Sequence, residues 1–156
     1  MNLSLLAQKL VVILPLSLIG GCSWITDFVV LNTSTAELVV TYVVNGKSCP
    51  DDNIIIVPAT KTITELKKGH GVWKKLTTTE YSCDPRMMAV TATLPPQLAL
   101  RVARKGAYTG PEHYGNFDFD VLRLELNGIE GAISLDGVKV LKSFRRESDV
   151  LYVFSY

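Results

Sequence analysis

The chain reads as an all-β protein folded as a single sandwich of about nine to eleven mostly antiparallel strands. Three observations predict it. Short β-branched and aromatic runs recur at short intervals with Gly, Pro, Asn and Asp between them, and no internal repeat sets their spacing. No stretch holds a helical period for long. Near the C-terminus two turn signals, Asn127-Gly128 and Asp136-Gly137, are spaced so that one apolar face continues through three successive runs. An immunoglobulin-like sandwich is the expected architecture, with a closed β-barrel as the alternative.

The first 22 residues stand apart. Lys9 precedes an apolar run, residues 10–19, that ends in Leu18 and Ile19 and is followed by Gly20, Gly21 and Cys22, and no charged residue stands between Lys9 and Asp27. A basic start, an apolar run of about ten residues and small residues before a cut are the parts of a secretory signal. Pro15, Gly20 and Gly21 interrupt the run, and spanning a bilayer takes about 20 apolar residues, so a permanent transmembrane helix is the weaker reading. The segment Leu18 to Cys22 resembles the lipobox of bacterial lipoprotein signal peptides. The resemblance covers the leader only. It implies removal of residues 1–21, diacylation of the Cys22 thiol and anchoring of residues 22–156 to the lipid bilayer. With Ser23, not Asp, after the cysteine, it further implies sorting to the outer membrane, facing the periplasm. An ordinary cleaved signal with Cys22 free, or a cytosolic chain with an apolar first strand, are the alternatives.

Two acyl chains anchor stably where one binds marginally, at about 0.8 kcal/mol per buried methylene. Without the leader the chain loses one basic side chain, Lys9, and the sixteen basic residues become fifteen against fifteen acidic ones. A neutral balance leaves no basic excess for nucleic acid. The mean hydropathy of +0.23 is also carried largely by the leader. Residues 22–156 suffice for one core and are short for two domains. With Cys22 assigned to lipid, Cys49 and Cys83 form an even pair in an oxidising compartment, and a Cys49–Cys83 disulfide is expected, contributing about 3–4 kcal/mol. Neither cysteine has the close cysteine neighbour of a zinc site.

Taken in order, residues 24–31 are a first strand, closed by Asn32-Thr33-Ser34, a triplet that matches a glycosylation acceptor but reads more simply as a turn. In residues 37–44 neither face is polar, so this is a central strand. Asn45-Gly46 ends it, and residues 47–53 are loop. Residues 54–57, 61–66, 72–81 and 87–93 follow as strands. Residues 96–105 are ambiguous. Pro at a helix start, basic residues near the end and Gly106 at the stop suit a short helix. Alternation of Leu98, Leu100 and Val102 against Ala99, Arg101 and Ala103 suits a strand, the favoured reading in this context. Leu122, Leu124 and Leu126 share one face of residues 120–126, and Asn127-Gly128 suits a two-residue type I′ turn that sets Ile129 opposite Leu126. Asp136-Gly137 then sets Val138 opposite Leu135, completing a three-stranded meander. Residues 150–156 form a last paired strand. Cys49, Trp73 and Cys83 echo the immunoglobulin Cys, Trp, Cys arrangement only in part.

No nucleophile elbow, zinc-binding helix, phosphate loop or calcium loop appears, so no catalytic residue, metal or cofactor is assigned. The two histidines, His70 and His113, each lie in a Gly-containing turn. Lys67-Lys68 and Lys74-Lys75 read as solvated faces. The most site-like stretch is residues 108–120. It gathers the aromatic residues Tyr108, Tyr114, Phe117 and Phe119 with Glu112, His113, Asp118 and Asp120 in a long connection, and long loops on rigid β scaffolds often carry binding. The expectation is a non-catalytic lipoprotein that binds an envelope protein or glycan, with Tyr108, Glu112, His113, Tyr114, Phe117, Asp118 and Asp120 as the candidate binding loop. The alternative is a small periplasmic hydrolase or hydrolase inhibitor that uses His113 with Asp118 or Asp120.

Overall fold

The computed structural model describes residues 23–46, 49, 55–58, 74–75, 80–108, 119–148 and 151–156. They form two sheets packed face to face. The first has six strands in the order β10, β11, β1, β7, β3, β4; the second has five in the order β5, β6, β2, β8, β9. The strands are β1 (Ser23–Leu31), β2 (Leu38–Val44), β3 (Ile55–Pro58), β4 (Lys74–Lys75), β5 (Tyr81–Asp84), β6 (Ala89–Leu94), β7 (Leu98–Tyr108), β8 (Val121–Gly128), β9 (Gly131–Asp136), β10 (Arg145–Ser148) and β11 (Leu151–Ser155). All pairings are antiparallel except that of β1 with β11, the two ends of the described chain. The sandwich is therefore as expected and the closed barrel is not formed. Its strand order differs from the seven-strand immunoglobulin scheme, so that likeness is one of architecture. The strand expected at residues 61–66, most of that at 72–81, Trp73 and His70 lie outside the described residues.

The core lies between the sheets, built by alternation. Phe28 and Val30 of β1, with Leu100 and Val102 of β7, face Leu38, Val40 and Tyr42 of β2, Val90, Ala92 and Leu94 of β6, and Leu124 and Leu126 of β8. Aromatic rings fill one end, where Phe28 meets Phe119 at 4.7 Å, Tyr152 at 4.9 Å and Phe144 at 5.6 Å between centroids. Such pairs contribute about 0.5–1.5 kcal/mol each beyond their buried area. A second cluster, Val29, Leu31, Ala99, Leu151 and Val153, lies on the opposite face of β1, β7 and β11. Residues 28–31 of β1 thus bury apolar side chains on both faces of the first sheet, which is why this part of β1 reads as a continuous apolar run without clean alternation.

The ambiguous residues resolve as strand. β7 runs eleven residues, Leu98–Tyr108, beside β1, preceded by a turn in which Gln97 takes φ 59°. A register shift opposite Phe28 and Val29 leaves Val102 as the extra residue, so Val102 joins the core while Arg101 turns to the other face.

At the C-terminal end three expectations are corrected. Residues 138–140 are not a strand: Val138–Ser143 is a short helix, α1, so the meander stops at two strands. Gly137 adopts φ 56° and ψ −130°, which swings the chain off the sheet edge. Val140 and Phe144 are buried while Val138, Lys139 and Lys142 face solvent, a helical spacing. The Asn127-Gly128 turn is also displaced. Gly128 pairs with Gly131 and the connection is Ile129-Glu130, so Leu126 faces Ile133, not Ile129. Neither Asn127 nor Gly128 has positive φ, so the turn is not type I′. The slip is an even number of residues, and Ile133 and Leu135 therefore still share the apolar face of Leu124 and Leu126. Finally, Leu122 is 47% exposed. Val43 pairs with Arg123 and Val44 with Val121, so Leu122 sits in a bulge where its carbonyl accepts the Gly137 N–H at 2.8 Å, and Val121 takes the core position instead.

The Asn32-Thr33-Ser34 triplet is a turn in which Asn32 and Ser34 are buried and Thr33 is exposed. Asn32 donates through Nδ2 to the carbonyls of Ala36 (2.8 Å) and Leu94 (2.9 Å), while its Oδ1 accepts from the N–H and hydroxyl of Ser34. Both amide hydrogens are occupied and the side chain is inaccessible, so Asn32 is a cross-link between the two sheets and not a glycan acceptor.

Candidate functional site

The β7–β8 connection leaves one sheet and enters the other. Its first foot is Tyr108, the last residue of β7, which stands opposite Ser23 at the start of β1. Its second foot is Phe119 and Asp120. Phe119 packs against Phe28 in the core, so this ring is structural. The Asp120 carboxylate pairs with Lys105 of β7, and its carbonyl accepts the Asn45 N–H at 2.7 Å. The two feet are thus tied across the sandwich by the Lys105–Asp120 ion pair. Glu112, His113, Tyr114, Phe117 and Asp118 lie outside the described residues. Of the seven candidate residues, then, Tyr108 and Asp120 are described, at opposite feet of the connection, and Asp120 is engaged in holding it.

The same end of the sandwich carries the disulfide. Cys49, beyond the end of β2, is bonded to Cys83 of β5 with 6.2 Å between Cα atoms and 34 positions between them in sequence. Val44, which closes β2, donates to Met88 O at 3.0 Å beside the turn that follows β5. The start of β1, the feet of the β7–β8 connection and the Cys49–Cys83 bridge therefore cluster together. The bridge tethers an edge strand and does not span the core as the immunoglobulin bridge does.

An ion cluster that the sequence reading did not single out lies on the face of the six-stranded sheet away from the core. Asp27 of β1 accepts from Arg104 Nε at 2.8 Å and NH2 at 3.4 Å, and from Arg101 NH1 at 3.4 Å. Arg101 is 2% exposed. Burial pulls its guanidinium below the ordinary arginine range; Asp27 pulls it back up, and Arg104 lowers it further. Arg101 stays charged across the accessible range, so the carboxylate is what keeps this charge tolerable in the interior. The signal in the sequence was a lone acid in an apolar run, Asp27 between Phe28 and Thr26, matched by two arginines in the alternating segment 98–105. On the outer face of the other sheet, Thr41 and Thr91 share a hydroxyl contact of 3.0 Å, and Arg123 donates to Asp136 at 2.7 Å.

Among the described residues no group of three or more His, Cys, Asp or Glu side chains is placed to hold a metal ion, and no helix is long and apolar enough to cross a membrane. No protein-family model, no curated protein and no solved structure matches this chain.

Proposed function

We propose that the protein is a lipid-anchored envelope protein: residues 1–21 are a removed signal, Cys22 is acylated, and residues 22–156 form a non-catalytic β-sandwich on the periplasmic side of the outer membrane. Its role is to bind a protein or glycan partner through the 108–120 connection. The observation that carries this reading is the ladder between β1 and β7. β1 opens at Ser23, directly after Cys22, and Ser23 stands opposite Tyr108, where the connection begins. Neighbouring strands lie about 4.8 Å apart. An acyl anchor on Cys22 would therefore hold the start of the loop within about 10 Å of the bilayer surface. The Cys49–Cys83 bond adds support, since such bridges persist in oxidising compartments, and it leaves Cys22 as the third cysteine of the sequence.

Metabolic labelling with radioactive palmitate tests the anchor. The full chain expressed in a bacterium with an outer membrane takes up label and fractionates with that membrane. Cys22→Ser abolishes the label and leaves the unprocessed precursor; a Cys22→Ser chain that is still labelled, or an unlabelled wild type, would sink the proposal. For the binding role, cross-linking of the membrane-extracted form should capture one partner whose recovery falls when residues 112–118 are replaced by a Gly/Ser linker. Unchanged recovery would assign binding elsewhere.

A further inference from the structure

The edge strand of a sheet presents N–H and C=O groups with no neighbour, a template for another strand unless something discourages it. Among the described residues the sandwich has four edges: β10 and β4 of one sheet, β5 and β9 of the other. Three of them are discouraged. β10 carries Arg145, Arg146 and Glu147 in four residues and shifts register between Arg146 and Ser148. β4 is two lysines long. β5 has four residues, one of them tied to Cys49. β9 has none of these devices. It runs six residues without a register shift against β8, contains neither Lys nor Pro, and carries its one charge, Asp136, at the last position, where Arg123 matches it.

We propose that β9 is a self-association edge: two copies of the chain pair antiparallel about a two-fold axis at Ser134, joining two five-stranded sheets into one of ten. The strand is complementary to itself. Residues directly opposite in an antiparallel pair share a face, so the axis must pass through a residue. At Ser134 it sets Ala132 opposite Asp136 and Ile133 opposite Leu135, with no like charges facing. At Ile133 it would set Glu130 against Asp136, and at Leu135 the ladder would run into Gly137, where φ 56° leaves the extended conformation.

A second copy is favoured by what flanks the strand. The two most exposed large hydrophobic residues described are Ile129 (68%) and Val138 (64%), five positions before Ser134 and four after it. The two-fold sets the Ile129-Glu130 turn of each copy at the end of the junction where α1 of the other copy begins, so each end carries one exposed apolar side chain from each copy. Facing Ser134 hydroxyls would repeat across it the Thr41–Thr91 contact of the same face.

This proposal does not depend on the lipid anchor. It is tested on the full chain, purified in mild detergent, by sedimentation equilibrium up to about millimolar protein, the weak end of the affinity scale. Wild type shows a reversible dimer. Ser134→Lys and Ser134→Glu, at an exposed position that leaves the thermal midpoint unchanged, each weaken it at least about tenfold, and an equimolar mixture of the two restores it. On mild oxidation Ser134→Cys forms a covalent dimer faster than Ser82→Cys, exposed on β5 of the same sheet. A wild type that is monomeric throughout, charge variants that dimerise as wild type does, a mixture that fails to recover, or equal oxidation rates at the two positions would each overturn it.

Discussion

At the residue scale, two buried contacts make testable claims. Tyr42 projects from β2 into the core, and burial, reinforced by Tyr81 and partly offset by Arg101, pushes its phenol well above the ordinary value of 10.0. In the unfolded chain the phenol ionises near that ordinary value, while in the fold it keeps its proton. The folded state therefore binds more protons above about pH 10, and stability that is constant below that pH falls as pH rises, by about 1.4 kcal/mol per pH unit for this group. Denaturant titrations between pH 8 and about 11.5 should show Tyr42→Phe losing less stability over the alkaline limb than wild type; parallel curves would mean that the phenol is not held neutral. Gly128 makes the second claim. A Cβ there would lie 2.7 Å from Tyr156 Cε1 and 2.8 Å from its hydroxyl oxygen, and that hydroxyl donates to Gly131 O at 2.6 Å. This glycine is required by a ring and not by a turn, since its φ is not positive. Gly128→Ala should cost about 1 kcal/mol in wild type, roughly the worth of the displaced hydrogen bond and its contacts. In a Tyr156→Ala background it should cost nothing, a coupling that a double-mutant cycle in urea would read directly.

At the element scale, the strands that pair by alternation were legible and those held by other means were not. β2 declared itself a central strand because Val39, Thr41 and Val43 left no polar face, and it does lie between β6 and β8. β10 escaped notice because Arg145, Arg146 and Glu147 offer no apolar side; it is a strand only because β11 supplies its partners. α1 was hidden by Val138 and Val140, which alternate like a strand, and by Asp136-Gly137, which signals a hairpin. Six residues cannot hold a helix by propensity, and burial of Val140 and Phe144 decides its conformation. The bulge at Leu122 was equally invisible, because a residue left without a cross-strand partner depends on the neighbouring strand and not on its own segment. The expected disulfide was readable from cysteine parity once Cys22 was set aside. It links an edge strand to a loop, so its contribution should come chiefly from restricting the unfolded chain. Replacing Cys49 and Cys83 together by Ser should lower stability by about 3–4 kcal/mol. Reductant should lower wild type to the same level and leave the double variant unmoved; a reductant effect persisting in that variant would place the sensitivity elsewhere.

At the scale of the whole molecule, the 108–120 stretch was legible as a connection between strands, and the separate roles of Phe119 and Asp120 were not. Clustered aromatic and acidic residues marked the 108–120 connection, but sequence could not separate Phe119, which seals the core, or Asp120, which ties the connection's feet, from residues free to meet a ligand. That distinction depends on Phe28 and Lys105, which are remote in the chain. The topology also joins the two ends of the described chain, pairing Asp27 with Leu151 through Leu31 with Ser155. Native contacts of such long sequence separation form slowly, so refolding should take milliseconds to seconds, as in other β-sandwiches. Deleting residues 151–156 removes Leu151, Val153 and the parallel partner of β1, and the truncated chain should show neither a cooperative urea transition nor dispersed amide resonances. A cooperative transition would show that β1 is stable on β7 alone. The position of β1 has a mechanical consequence as well. It lies in the interior of its sheet, hydrogen-bonded along its length to β7 on one side and, over its second half, to β11 on the other. A load applied through Cys22 would pull along the strand axis and strain these bonds together, in shear, and would not open them one at a time. Rupture would then need many bonds to fail at once, so force applied along β1 meets the sheet in the direction in which it resists most.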